Sequence, residues 1–212
     1  DTYRVAPGQV YEAKDYQIEP DISAACYFYA IAAVTGNEGK VMHVHRDTTQ
    51  GDIKFLQVLE TMGCQISEEQ DGIVVAGAPG GRLSGVHVNM SDFSDQTMTL
   101  AAIAPFADSD TVIDGVGHIR RQESDRIHGI VTELERMGIS CEEREDGLTI
   151  HPGEVHPAVV RTYDDHRMAM AFAVTGCKAE GIVIDDPGCC RKTFENYFEV
   201  LTNLVLITNI KQ

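Results

Sequence analysis

The sequence is short of basic residues: 17 Lys and Arg stand against 33 Asp and Glu, a formal net charge of −16 over 212 residues. Nonspecific nucleic-acid binding needs clustered Lys and Arg to neutralise phosphates, so nucleic acid is not an expected partner. The six cysteines form no C-x-x-C pair, and the adjacent Cys189-Cys190 is poor material for structural zinc, so no metal site is expected. Long apolar runs are missing and no signal-peptide pattern is present, which predicts a cytoplasmic protein with no membrane partner. In that compartment the thiols are expected to be buried and reduced. What remains, at 43% hydrophobic residues, is an ordinary globular composition with enough chain for a real core.

That chain repeats itself. Three segments start with Asp and run into a small-residue apolar helix: "DISAACYFYAIAAVTG" from Asp21, "DQTMTLAAIAPFA" from Asp95 and "DHRMAMAFAVTG" from Asp165. A β-prone stretch follows each ("KVMHVH", "DTVIDGV", "GIVIDDP"), then a second helix ("GDIKFLQVLETMG", "ESDRIHGIVTELERMG", "KTFENYFEVLTNL"). Two of these lead into hairpins, "CQISEEQDGIVVAG" and "SCEEREDGLTIHPG", where Asp-Gly is the expected two-residue turn. The first helices are apolar on nearly all sides and must be buried all round. The second are amphipathic, with Ile127, Ile130, Val131, Leu134 and Met137 at helical spacing. The fold class is therefore α/β (α+β): one domain over residues 1–212 with pseudo-threefold symmetry, helices central and sheets outside. Its units lie at about 21–90, 91–160 and 161–205.

Three like units around one axis bring their first helices' N-termini to one face, where free N–H groups and helix dipoles favour anions. The charged clusters fall there: Asp95, the "RRQESDR" run, Asp165-His166-Arg167 and Arg191-Lys192. An acidic chain that gathers its few cations at helix starts is built for a phosphate or carboxylate ligand. Asp at these starts is also a good helix cap, so capping and ligand binding are both readings of Asp95 and Asp165.

At these residues the sequence resembles the 5-enolpyruvylshikimate-3-phosphate synthase family. "YDDHRMAMAFAV", "RRQESDRIHGIVTELERMG", "DDPGCCRKTFENYFEVL", "EPDISAACYFYAIAAVTG" and "TTQGDIKFLQVLETMG" are similar to five family motifs, in order, across almost the whole chain. The resemblance implies an enolpyruvyl transferase fold of βαβαββ units, of which this chain carries the C-terminal domain. The N-terminal domain has no counterpart here and becomes the expected partner, without which turnover is not expected. The implied reaction moves the enolpyruvyl group of phosphoenolpyruvate to the 5-hydroxyl of shikimate 3-phosphate, with no cofactor.

By the same resemblance Asp95 binds the shikimate hydroxyls and acts as base, and Glu123 handles the proton at the phosphoenolpyruvate methylene. Arg126, Arg167 and Lys192 hold phosphoenolpyruvate, and Asp165 and His166 line the site. Arg126 stands three residues after Glu123, which predicts one helical face for both. Gln122 replaces a family Lys, and Gln supplies neither charge nor a proton, leaving Arg120 or Arg121 to compensate. His118 stands where some members have Asn. Two other readings keep the fold: a UDP-N-acetylglucosamine enolpyruvyl transferase, and a non-catalytic anion-binding or assembly domain.

Overall fold

The computed structural model describes residues 2–210. Residues 2–20 contain no helix or strand and leave Tyr11, Tyr16 and Ile18 exposed. Asp21 then caps the first helix, α1 (Ile22–Thr35), accepting from the Ala24 N–H. Gly36, with φ 71°, ends it in the left-handed cap that glycine adopts without steric cost. Two further apolar helices are equivalent to it: α3 (Thr97–Ile103), in which every residue is buried, and α5 (His166–Gly176). The three pack against one another and form the centre of the core. Each fully buried Leu, Ile, Met or Phe there contributes about 1.5–3 kcal/mol, so these helices hold the molecule together.

The sheets lie around them. In the first, β1 (Glu38–Met42) pairs antiparallel with β3 (Gly72–Ala76), which pairs with β2 (Gln65–Glu69). The second has β4 (His87–Asn89) parallel to β5 (Thr111–Asp114), then β7 (Gly147–Ile150) and β6 (Cys141–Arg144), both antiparallel. The third, among the described residues, is β8 (Ala158–Val160) parallel to β9 (Ile182–Ile184). Two amphipathic helices cover the sheets: α2 (Phe55–Thr61) packs on β2, and α4 (Arg126–Arg136) on β6 and β7. The last helix is α6 (Tyr197–Ile210), whose Tyr197 is buried and donates to the Met170 carbonyl. The middle group of elements thus reads βαβαββ; the first shows no opening strand and the third no closing hairpin among the described residues.

Three local expectations change. The hairpin turns are Gln70-Asp71 and Glu145-Asp146, because the register pairs Glu69 with Gly72 and Arg144 with Gly147. Each glycine opens the returning strand instead. A Cβ on Gly72 would meet the Val41 carbonyl oxygen at 2.2 Å, and one on Gly147 the Ile113 oxygen at 2.1 Å. Close approach of the neighbouring strand, not turn geometry, requires glycine there. The expected helix from Glu123 starts only at Arg126, since Asp125 takes the cap and accepts from the His128 N–H at 3.1 Å. The "KTFENYF" helix likewise starts at Tyr197, after a 3-10 turn over Pro187–Lys192.

No helix among the described residues is long and apolar enough to cross a membrane. The cysteines are free thiols, four buried and two half-buried; burial pushes Cys190 up to about 12 and Cys177 to about 11. Such thiols are inert packing groups at neutral pH.

Candidate active site

The N-terminal ends of the three central helices are joined by one chain of side chains. Ser23, in the first turn of α1, donates to the buried Asp52 at 2.5 Å, and Gln96 donates to the same Asp52 oxygen at 2.7 Å. Burial, with the Asp95 charge adding to it, raises the Asp52 pKa even though both donors favour its charged form. Gln96 adjoins Asp95, whose carboxylate accepts from Arg167 Nη2 at 2.7 Å and from Arg126 Nη1 at 3.3 Å. Arg167 lies in the first turn of α5 and Arg126 opens α4. Four helix starts therefore meet within a few side chains.

Asp95 does not cap α3. It sits inside a 3-10 turn over Ser94–Gln96, so its carboxylate is free to turn toward the two arginines. Asp165, by contrast, does cap α5, accepting from the Arg167 N–H at 3.0 Å. The same buried carboxylate accepts from Arg126 Nε at 2.8 Å, Arg126 Nη2 at 3.3 Å and Ser124 Oγ at 3.0 Å. Burial would push its pKa up, but Arg126 and these hydrogen bonds outweigh that and hold it below the ordinary carboxylate value. Arg126 is itself only 3% exposed, and its guanidinium also donates to Gln122.

Glu123 lies outside the helix, where its carboxylate reaches further than a first-turn residue would. One oxygen stands 3.0 Å from His166 Nδ1, 2.9 Å from Lys192 Nζ and 3.9 Å from Arg126 Nη2. A carboxylate only accepts, so Nδ1 carries the proton and Nε2 is left as the acceptor of a neutral ring. Burial, ahead of the opposing Glu123 charge, lowers the His166 pKa and keeps the ring neutral at pH 7. The Glu123 hydrogen bond raises that of Lys192, which stays charged.

Asp95, Gln122, Glu123, Arg126, Asp165, His166, Arg167 and Lys192 thus form one contiguous network. His118 stands at its margin, with Nε2 2.8 Å from Ser94 Oγ beside Asp95. Arg120 does not stand in for the missing lysine: its guanidinium is held by Asp125, Glu143 and the carbonyls of Arg144 and Glu145. Asp52, Gln96 and Ser124 support the network without having been singled out in the sequence. Ser124 stands in the "RRQESDR" run beside Glu123, whereas the Asp52–Gln96 contact joins two segments 44 residues apart that no local pattern links.

Comparison with known proteins finds relatives of one kind. A 3-phosphoshikimate 1-carboxyvinyltransferase of Nostoc punctiforme is 53% identical over 196 residues, covering 92% of this chain and 46% of that protein. The chloroplastic one of Arabidopsis thaliana is 43% identical over 211 residues, covering 96% and 41%. The solved EPSP synthase of Acinetobacter baumannii superposes with a TM-score of 0.76 at 25% identity, over 86% of this chain and 45% of that one. The chain spans about half the length of the curated relatives it matches. The family model described as EPSP synthase (3-phosphoshikimate 1-carboxyvinyltransferase) matches residues 1–201, and the chain belongs to that family.

Proposed function

We propose that this chain carries half of an active site that transfers the enolpyruvyl group of phosphoenolpyruvate to the 5-hydroxyl of shikimate 3-phosphate, and that a second domain carries the rest. The observation behind this reading is the Glu123 carboxylate held between His166 and Lys192, one side chain away from the Asp95–Arg126–Arg167 cluster. The reaction needs a proton delivered to the methylene carbon of phosphoenolpyruvate, which makes its C2 electrophilic, and a base for the attacking hydroxyl. Glu123 takes the first role and Asp95 the second. Addition of the hydroxyl to C2, then loss of phosphate together with one proton of the methyl group so formed, balances the transfer and restores the double bond.

Arg126, Arg167 and Lys192 provide positive charge for the carboxylate and phosphate of phosphoenolpyruvate. In the protein alone they face Asp95, Asp165 and Glu123, so an incoming anion competes with the two more exposed carboxylates for Arg167 and Lys192. Asp165 keeps Arg126 in place throughout. Gln122, bonded to Arg126, orients that guanidinium and supplies no charge of its own. His118 and Ser94 shape the shikimate side of the Asp95 turn. The buried free thiols support a reducing, cytoplasmic setting.

The test is reconstitution. The chain is mixed with the N-terminal half of a full-length family member, and phosphate release is followed with both substrates present. The reading predicts no release from either half and recovery in the mixture. No recovery from two folded halves that associate would overturn it.

A further inference from the structure

We infer that Glu133 is a positioning residue: acting through Tyr163, it clamps the strained turn that presents Asp165, His166 and Arg167. Tyr163 and Asp164 have φ of 57° and 55°, two consecutive left-handed residues directly before the α5 cap. Few residues other than glycine take that conformation, and a bulky tyrosine there is a true outlier. Such a turn persists only where its surroundings over-determine it.

Glu133 supplies that constraint. It lies on α4 and is completely buried; Arg136 Nε, half-exposed, makes a long ion pair with it at 3.7 Å, beyond hydrogen-bond distance. One of its oxygens accepts from the Tyr163 hydroxyl at 2.6 Å and the other from the Arg161 N–H at 3.0 Å. A buried carboxylate is costly unless its hydrogen bonds are made, and here both lead to the same turn. The Tyr163 ring lies along α4 at Gly129, where an added Cβ would sit 3.4 Å from it. Asp185 holds the adjoining Thr162 N–H at 3.0 Å, and the Thr162 carbonyl accepts from the Asp165 N–H at 2.9 Å. Position is thereby passed from the middle of α4 to the start of α5, where His166 and Arg167 meet Glu123 and Asp95. What those residues bind is the reading given above; the clamp stands apart from it.

Amide hydrogen exchange on this chain, with no ligand, tests the clamp. Tyr163 is 38% exposed, so Tyr163→Phe removes the hydroxyl without opening a core cavity, and the variant is expected to fold. Exchange at the Asp165 and Arg167 amides is expected to speed up about tenfold, as one hydrogen bond to a buried charge is lost. The Val112 amide, bonded to the Val86 carbonyl in the second sheet, should not change. Adding Asp164→Gly removes the cost of one left-handed residue and is expected to bring both rates back to within about threefold. Glu133→Gln should reproduce the Tyr163→Phe pattern. Unchanged rates at Asp165 and Arg167, an equal acceleration at Val112, or no recovery with glycine would each overturn the inference.

Discussion

Arg126 grips Asp165 with two nitrogens, Nε at 2.8 Å from one carboxylate oxygen and Nη2 at 3.3 Å from the other, and both side chains are buried. Removing one member of such a pair leaves the other charged and unsolvated. Asp165→Ala is expected to cost about 3–5 kcal/mol in urea unfolding. The folded pKa of Asp165 lies below its unfolded value, so its stabilisation is complete above about pH 4. It is lost as pH falls through the folded pKa. Asp165→Asn should therefore flatten the acid limb of the stability profile; an unchanged limb would contradict the pairing.

His166 works in a higher window. Its folded pKa is lowered, so the unfolded chain takes up the proton more readily than the native one. Its contribution is whole above about pH 6.5 and declines as pH falls toward the folded pKa. His151, raised chiefly by its hydrogen bond to Asp110, has the opposite sign, so the difference between wild type and His166→Gln is the quantity to read. That difference should shrink between about pH 7.5 and pH 5.5 in urea midpoints.

Glycine at the strand starts is a packing requirement. Gly72→Ala and Gly147→Ala each drive a methyl group into a facing carbonyl oxygen, and each is expected to cost about 1–3 kcal/mol. Gly80→Ala is the control for Gly72, since both have positive φ but nothing lies within 4 Å of a Cβ added at Gly80; Gly147 is not in that conformation, so contact alone acts there. If Gly80→Ala cost as much as Gly72→Ala, backbone conformation rather than contact would be the cause at Gly72.

Glu123 is half-exposed and its removal leaves no buried charge. Glu123→Gln in the reconstituted enzyme is expected to lower turnover by about 10²- to 10⁴-fold, the range for a positioned acid–base group. The unfolding midpoint of the chain should scarcely move. Full turnover in this variant would remove Glu123 from the proton-transfer role.

The central helices were legible because "AACYFYAIAAV" and "MAMAFAV" carry no polar face and have nowhere to go but the core. The gathering of Asp95, Arg126, Asp165 and Arg167 followed from repetition, since like units bring like ends together. Local punctuation misled at Asp71-Gly72, where a glycine suited to a turn serves a neighbouring strand, and at Glu123, where a later Asp took the cap. Contacts such as Glu133 with Tyr163 join residues that no helical or strand period relates, so nothing in one sequence announces them.

The outer sheets have a colloidal consequence. Among the described residues β1 pairs only with β3 and β9 only with β8, so each leaves a row of backbone donors and acceptors on its far side. Val159 and Val183 stand more than half exposed on the small third sheet. Such edges are templates for another chain's strand, and the mutual repulsion of chains carrying −16 opposes that encounter. Salt weakens that repulsion: the screening length falls from about 10 Å at 0.1 M to about 3 Å at 1 M. This acidic chain is accordingly expected to be monodisperse in dilute buffer and to associate as salt is added, the reverse of a protein held together by ion pairs.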